Sequence, residues 1–369
     1  MLRRFFTLLS AALVTAALLV VAPVSVASQS PASAPGKPGA SAAQPAAKKF
    51  APRKLPWGDP DLQGNFTNKD EANTPDERPD GFAGKRIEDV TPAELKAAAD
   101  AQVARARQNA AYAGGGDRAR GIALGVPIHW LENLDAASSR PWFVTDPPDG
   151  KIPPLTPEAV KRNQAAAQAR AARGLAESYT DRSLGDRCIA RKGTPASAMN
   201  PGLYGNSYQI LQTKDYVAIR YEMDGSRIIP IEGRGSARPH PGGNIRTYFG
   251  DAIGRWDGNT LVVDTTNFGD FVNYRGSSTG LHLVERFTRI GPKTVEWTAT
   301  IEDPTTWARP WSFSIPLTED DGEPIFEYAC HEGNYGLRNI LSAGRSDDRK
   351  GIKSSNNAGA QGDLEDLEE

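Results

Sequence analysis

GRWDGNTLVVDTTNF (254–268) and GLHLVERFTRIGPKTVEWTATIED (280–303) decide the fold. Both stretches are rich in Val, Thr, Leu, Phe and Trp, the residues that fit a pleated, half-buried surface. Asp257-Gly258 sits between two such runs, a dipeptide that supplies the positive φ angles of a tight hairpin turn. Gly291-Pro292 breaks the second stretch in the same way. In 294–301, Val295, Trp297, Ala299 and Ile301 share one face, while Thr294, Glu296, Thr298 and Thr300 share the other. This period of two is that of a strand with one wet and one buried side.

The texture extends outward from there. YQILQTKDYVAIRYE (208–222) breaks at Lys214-Asp215, SRIIPIEG (226–233) is a short run, and RPWSFSIPL (309–317) and PIFEYAC (324–330) follow the quoted pair. Turn residues recur at close intervals, with no helical crossover between runs. The pattern predicts a mainly β protein, an antiparallel meander of about eight strands over 182–345 that closes as a barrel. Ahead of it, 55–181 reads as a helical and irregular segment packed on the barrel. Thr91-Pro92-Ala93-Glu94 is a capping box with proline at the first helical position, and Thr156-Pro157-Glu158 opens a second helix. Both are Ala-, Arg- and Gln-rich with thin apolar stripes, which predicts surface helices. Trp130 and Trp142, between them, read as plugs onto the main domain.

The termini differ in kind. Arg3 and Arg4 precede an apolar run from Phe5 to Ala22, and Ser25-Val26-Ala27 is a small-x-small site. Residues 1–27 therefore read as a signal peptide, with an uncleaved anchor as the alternative. Residues 28–54 are Ala/Pro/Ser/Gly-rich and 346–369 end in an acidic run, so both are expected to be disordered. Cys188 and Cys330 are the two cysteines of the 369-residue chain. In an exported protein such a pair predicts one disulfide.

Two carboxylates break the strand pattern. Asp264 shares a row with Val262, and Glu285 shares one with Leu283 and Phe287. Each is either a strand-end ion pair, for instance with Arg286 or Arg275, or a group at a barrel mouth or cavity. Of the four histidines, His129 sits beside Trp130 and reads as packed or surface, His240 lies in a Pro/Gly loop, and His282 is expected to face outward. His331 follows Cys330 directly, so a disulfide would hold its backbone, and Gly333 and Asn334 permit a tight turn. The expected acid/base group is accordingly His331, Asp264, Glu285 and Glu332. His240, Arg246, Tyr248, Arg275, Trp297, Trp307 and Asn334 are the expected substrate contacts.

Several classes are excluded. The net charge of −2 offers no basic footprint for nucleic acid. There is no phosphate-binding GxxxxGK[ST], no GxSxG elbow and no HExxH, since HEGNY has Asn334 at the fourth position. No organic cofactor and no metal are expected, although three histidines with Asp264 leave a non-protease metal site as an alternative.

PWGDPDLQGNFT (56–67), RPHPGGNIRTYFGDAIGRWDGNTLVVDTTNF (238–268), NYRGSSTGLHLVERFTRI (273–290), EDPTTWARPW (302–311) and YACHEGNYGLRNILSAGR (328–345) together resemble a large group of exported bacterial proteins with no common reaction assigned. The resemblance covers most of the chain from Pro56 to Arg345 and implies export. It carries over no site residue. A likeness to lipocalin-type (calycin) barrels is a fold-level analogy. The functional expectation is an exported, cofactor-independent lyase, isomerase or hydrolase acting on a small organic, aromatic or oligosaccharide substrate. Its membrane link would be the signal peptide alone, and its oligomeric state is left open. The alternatives are a non-catalytic carrier of an apolar ligand and an envelope interaction module with 56–180 as its partner-binding element.

Overall fold

The computed structural model describes residues 50–114, 138–173, 176, 178–190, 194–202, 204–235, 238–271, 274–322 and 324–351. All fall in one compact unit, Lys49–Glu369. The expected signal peptide, nearly all of the linker, Trp130, His129 and most of the acidic tail lie outside the described residues.

Ten antiparallel strands form one sheet that curls into a nearly closed barrel. They are β1 (Gly64–Thr67), β2 (Val144–Asp146), β3 (Ser207–Gln212), β4 (Tyr216–Tyr221), β5 (Gly225–Pro230), β6 (Asp251–Asp257), β7 (Thr260–Thr266), β8 (His282–Gly291), β9 (Thr294–Glu302) and β10 (Trp311–Glu319). Their order is β5-β4-β3-β1-β10-β9-β8-β7-β6, with β2 off the path against β10. The two quoted stretches are β6 to β9, with the Asp257-Gly258 turn where the sequence places it and Gly258 at φ +60°. Alternation holds in space. Val295, Trp297, Ala299 and Ile301 are fully buried in the core with Leu261, Val263, Leu283 and Phe287, and Ile315 and Leu317 complete the layer. Burying each of the Val, Leu, Ile and Phe side chains stabilises the fold by about 1.5–3 kcal/mol.

Two sequence expectations change here. The segment read as lying outside the barrel supplies a barrel strand: β1 pairs with β3 through Phe66↔Tyr208 and with β10 through Phe66↔Glu319. Residues 324–329 alternate like a strand but pair with nothing described, leaving Phe326 77% exposed. The edge of β10 near Ser312 and Phe313 is instead taken by β2, and Arg140 donates to Ser314 O at 3.3 Å and reaches Glu296 at 2.6 Å.

The barrel closes at a seam. Eight antiparallel steps bring β5 and β6 together running parallel, and they meet through one bridge, Ile231↔Gly254, with Glu232 N–H donating to Gly254 O at 2.7 Å. Gly254 permits this approach: a Cβ there would lie 3.0 Å from both Ile229 and Ile231. Pro230 has no N–H to leave unpaired on the edge. Toward the starts of β5 and β6 the seam opens.

The surface helices form as expected. In α1 (Pro92–Gly114), Thr91 and Glu94 make the reciprocal capping-box bonds. In α2 (Pro157–Arg173), Thr156 caps Ala159 N–H and Arg162 donates to Gly276 O and Thr306 Oγ1. A short helix, α3 (Pro195–Ala198), plugs the core with Ala196, Ala198 and Met199. The C-terminal arm carries α4 (Tyr335–Arg349), which the sequence reading missed. Cys188 and Cys330 are disulfide-bonded with Cα atoms 5.6 Å apart, tying this arm to the 178–190 segment.

Candidate active site at the open end of the seam

Because β6 to β9 are antiparallel neighbours, the starts of β6 and β8 and the ends of β7 and β9 share one end of the barrel. On the outer face of that end, register sets His282 opposite Glu302, and Asp264 one diagonal step from His282. Diagonal pairs of this kind lie within reach of long side chains. Asp251 opens β6 beside Thr266. The fifth member, His240, arrives from the 231–250 connection.

The five side chains form one continuous run of contacts. His240 Nδ1 is 2.7 Å from Asp251 Oδ2, and its Nε2 is 3.1 Å from Asp264 Oδ1. His282 Nε2 is 3.0 Å from Asp264 Oδ2, and its Nδ1 is 2.9 Å from Glu302 Oε2. Arg238 extends the run by donating to Asp251 Oδ1 at 2.8 Å. Asp264 is therefore a carboxylate clasped between two imidazoles, each backed by a second carboxylate. A ring between two acceptor oxygens satisfies both only as a double donor. For His282, burial pulls the pKa down, but the hydrogen bonds and charges of Asp264 and Glu302 outweigh it and raise the pKa above the ordinary value of 6.5. The side chains of His240, Asp264 and His282 remain 27–33% exposed, open to a substrate.

Asp251 and Arg238 also line the open part of the seam, a cleft of about 340 Å³. Ser226, Arg227 and Ile228 form its β5 wall, and Phe249, Ala252 and Ile253 its other side. Phe249 is stacked on Tyr221 with ring centroids 5.8 Å apart, which fixes the connection carrying His240 to the barrel.

The two carboxylates singled out in the sequence thus separate. Asp264 faces outward, whereas Glu285 points into the barrel and is fully buried. Arg227 Nη1 donates to Glu285 Oε2 at 2.6 Å, Trp297 Nε1 donates to Oε1 at 3.2 Å, and Arg227 Nη2 donates to Thr265 Oγ1. Burial beside this pair pushes the Tyr221 hydroxyl up. Glu285 is neither on the strand-end pairs expected for it nor in the outer cluster.

The remaining expected residues scatter. His331 and Glu332 lie exposed on the turn ahead of α4, and among the described residues no hydrogen bond joins either to Asp264 or Glu285. Asn334 caps α4 by accepting from Leu337 N–H and donates to Asp186 O. Trp297 and Trp307, expected in a substrate wall, are core side chains at 0% and 2% exposure. Arg275 pairs with Asp76. Arg246 donates to Phe268 O and Thr279 O, binding two connections together, and Tyr248 packs half-exposed against Phe271. Asp251, His282, Glu302 and Arg238 are the members that sequence reasoning missed. His282 faces outward, as its place in the strand pattern predicts.

The alternative of a metal centre built from histidines and Asp264 meets an arrangement in which the ring nitrogens are spent on carboxylate oxygens. Among the described residues no three His, Cys, Asp or Glu side chains are grouped to hold a metal ion. No described helix is long and apolar enough to cross a membrane. Comparison with protein-family models, with curated proteins and with solved structures finds no match to this chain.

Proposed function

We propose that the protein is an exported enzyme that uses His/carboxylate acid–base chemistry, of the lyase, isomerase or hydrolase type, at the outer rim of the barrel seam. The observation that supports this most is the clasped Asp264, a partly exposed carboxylate between two oriented imidazoles beside a cleft. Asp251 holds Nδ1 of His240, so that Nε2 is the nitrogen that exchanges a proton with a substrate displacing it from Asp264. This is the orienting role a carboxylate plays toward a catalytic histidine. The raised pKa of His282 favours its cationic form, which supports negative charge on Asp264 or on a substrate oxygen. Catalytic hydrogen bonds are commonly redistributed when substrate enters, so the closed run of contacts is the resting arrangement. The disulfide and the apolar N-terminal run support export.

The test is a screen of lyase, isomerase and hydrolase substrates with the full chain, repeated with Asp264→Asn and His240→Gln. Both variants should remain folded and lose turnover by roughly 10²-fold or more. Turnover that survives Asp264→Asn at the wild-type rate would remove this site from the chemistry.

A further inference from the structure

We infer that this site takes a saccharide, an inference that rests on the acid–base reading above. It comes from the two connections that frame the cluster. One, 231–250, carries His240 and also Tyr248. The other, 267–281, joins β7, which bears Asp264, to β8, which bears His282, and it carries Phe271. Tyr248 and Phe271 pack on each other with ring centroids 4.3 Å apart at 49°. Phe271 is nevertheless 45% exposed, and Ile245 beside Arg246 is 56% exposed.

This aromatic pair is built into the site. Thr247 N–H donates to Asn267 O, Gly269 N–H donates to Thr247 O, and Asn267 Nδ2 donates to Pro241 O, all at 2.9–3.1 Å. Arg246 adds bonds to Phe268 O at 2.9 Å and Thr279 O at 2.8 Å. Gly269 is the seat of the Phe271 ring: a Cβ there would lie 2.2 Å from a ring atom. The Phe271 ring thus rests over Gly269 and, tilted, against Tyr248, and is still 45% exposed. Such a ring costs solvation unless a ligand covers it.

The ligand must present a flat, C–H-rich face to the rings and hydroxyls to the neighbouring charges. Asp264, Glu302 and Arg238 remain 33%, 41% and 58% exposed in their side chains, so carboxylate acceptors and a guanidinium donor stand ready on the same rim. A saccharide has both features in one ring. A purely apolar ligand would desolvate these charges without offering them hydrogen bonds in return.

The experiment is saturation-transfer NMR and titration calorimetry of the full chain against neutral hexasaccharides of the β-glucan, xylan, α-glucan and chitin types. Binding of at least one type is expected, weakened about tenfold or more by Phe271→Ala and by Tyr248→Ala. Gly269→Val, which displaces the Phe271 ring without removing it, should do the same, and circular dichroism checks that each variant is folded. No binding by any of the four saccharides up to about 10 mM, or affinities untouched by all three rim variants, overturns the inference. Saccharide binding without turnover upholds it while removing the acid–base reading. Turnover of a non-saccharide that is lost in Asp264→Asn and unchanged in Phe271→Ala does the reverse.

Discussion

Replacing Glu285 by leucine removes one half of an ion pair from which water is excluded. Glu285 is 0% exposed and Arg227 4%, so the guanidinium left behind stays almost wholly out of solvent, at the inner wall of the seam cleft. It would keep Thr265 Oγ1 as a partner but lose the 2.6 Å bond to the carboxylate, and Trp297 Nε1 would lose its acceptor as well. Breaking a buried pair from one side costs about 3–5 kcal/mol, because the cost is that of the uncompensated charge. For a domain of this size that lowers the thermal midpoint by on the order of 10 °C. Replacing both partners, as in Arg227→Met with Glu285→Leu, removes the charge with its counter-charge and should return most of the loss, since apolar replacements of buried pairs are often neutral. The assay is urea unfolding of the oxidised protein followed by fluorescence, with the four species forming a double-mutant cycle. The coupling should exceed about 2 kcal/mol and be favourable to the pair. A Glu285→Leu variant within about 1 kcal/mol of the parent, or a double variant worse than both singles, would refute the reasoning. The same variants separate structure from chemistry: whatever turnover the folded fraction has should be retained, because Glu285 lies behind the barrel wall from Asp264.

Two further outcomes follow. The His282 pKa is raised in the folded protein, so the stability it contributes is fully present below about pH 6.5, its unfolded value, and is lost as pH rises through the higher folded value. NMR titration of the His282 ring should place its midpoint above 6.5, and His282→Gln should flatten the decline of the melting temperature over that range; a midpoint at or below 6.5 contradicts the double-carboxylate environment. Reduction of Cys188–Cys330 should expose 324–334 to protease while leaving the barrel intact, because among the described residues Phe326 is held by one side-chain bond, from Arg220, and α4 buries none of its residues fully. Cleavage within β3–β10 at the same rate would show that the disulfide holds the barrel as well.

The barrel was legible because its strands carry their own turn chemistry and period, as in 254–268 and 294–302. Three parts were not. β1 has four residues and begins with Gly64, too short to show a period, and its place between β3 and β10 depends on pairings with chain far away. Residues 324–329 alternate like a strand, yet β10 already has β1 and β9 beside it, so alternation had no edge to join. YGLRNILSAGRSDDR does have a helical spacing of Leu337, Ile340, Leu341 and Gly344, which the histidine and disulfide just before it obscured. At the site, Asp264 and His240 were visible as a charge in an apolar row and a histidine in a rigid loop. Their partners were not, because diagonal and cross-strand neighbours follow from register, which one chain's pattern does not state. The expected place for the chemistry was the mouth or cavity of the barrel. The interior is filled by Trp297, Phe287 and the Arg227–Glu285 pair, and the outward row, ordinarily read as solvated surface, holds the chemistry.

The position of β1 governs how the molecule is assembled. Phe66 must meet Tyr208 and Glu319, so a strand near the front of the chain becomes a wall element only when segments about 140 and 250 residues later are present. Such pairings raise contact order and slow folding, because loop closure must precede the contacts that reward it. During synthesis the leading strand would emerge with no partners and wait for nearly the whole chain, with the β3 and β10 edges exposed to wrong pairing in the interim. Neither the first half, which ends at β5, nor the second, which begins at β6, is expected to fold alone, and a chain severed in the 231–250 connection should regain its barrel only by reassociation of both pieces across two interfaces at once.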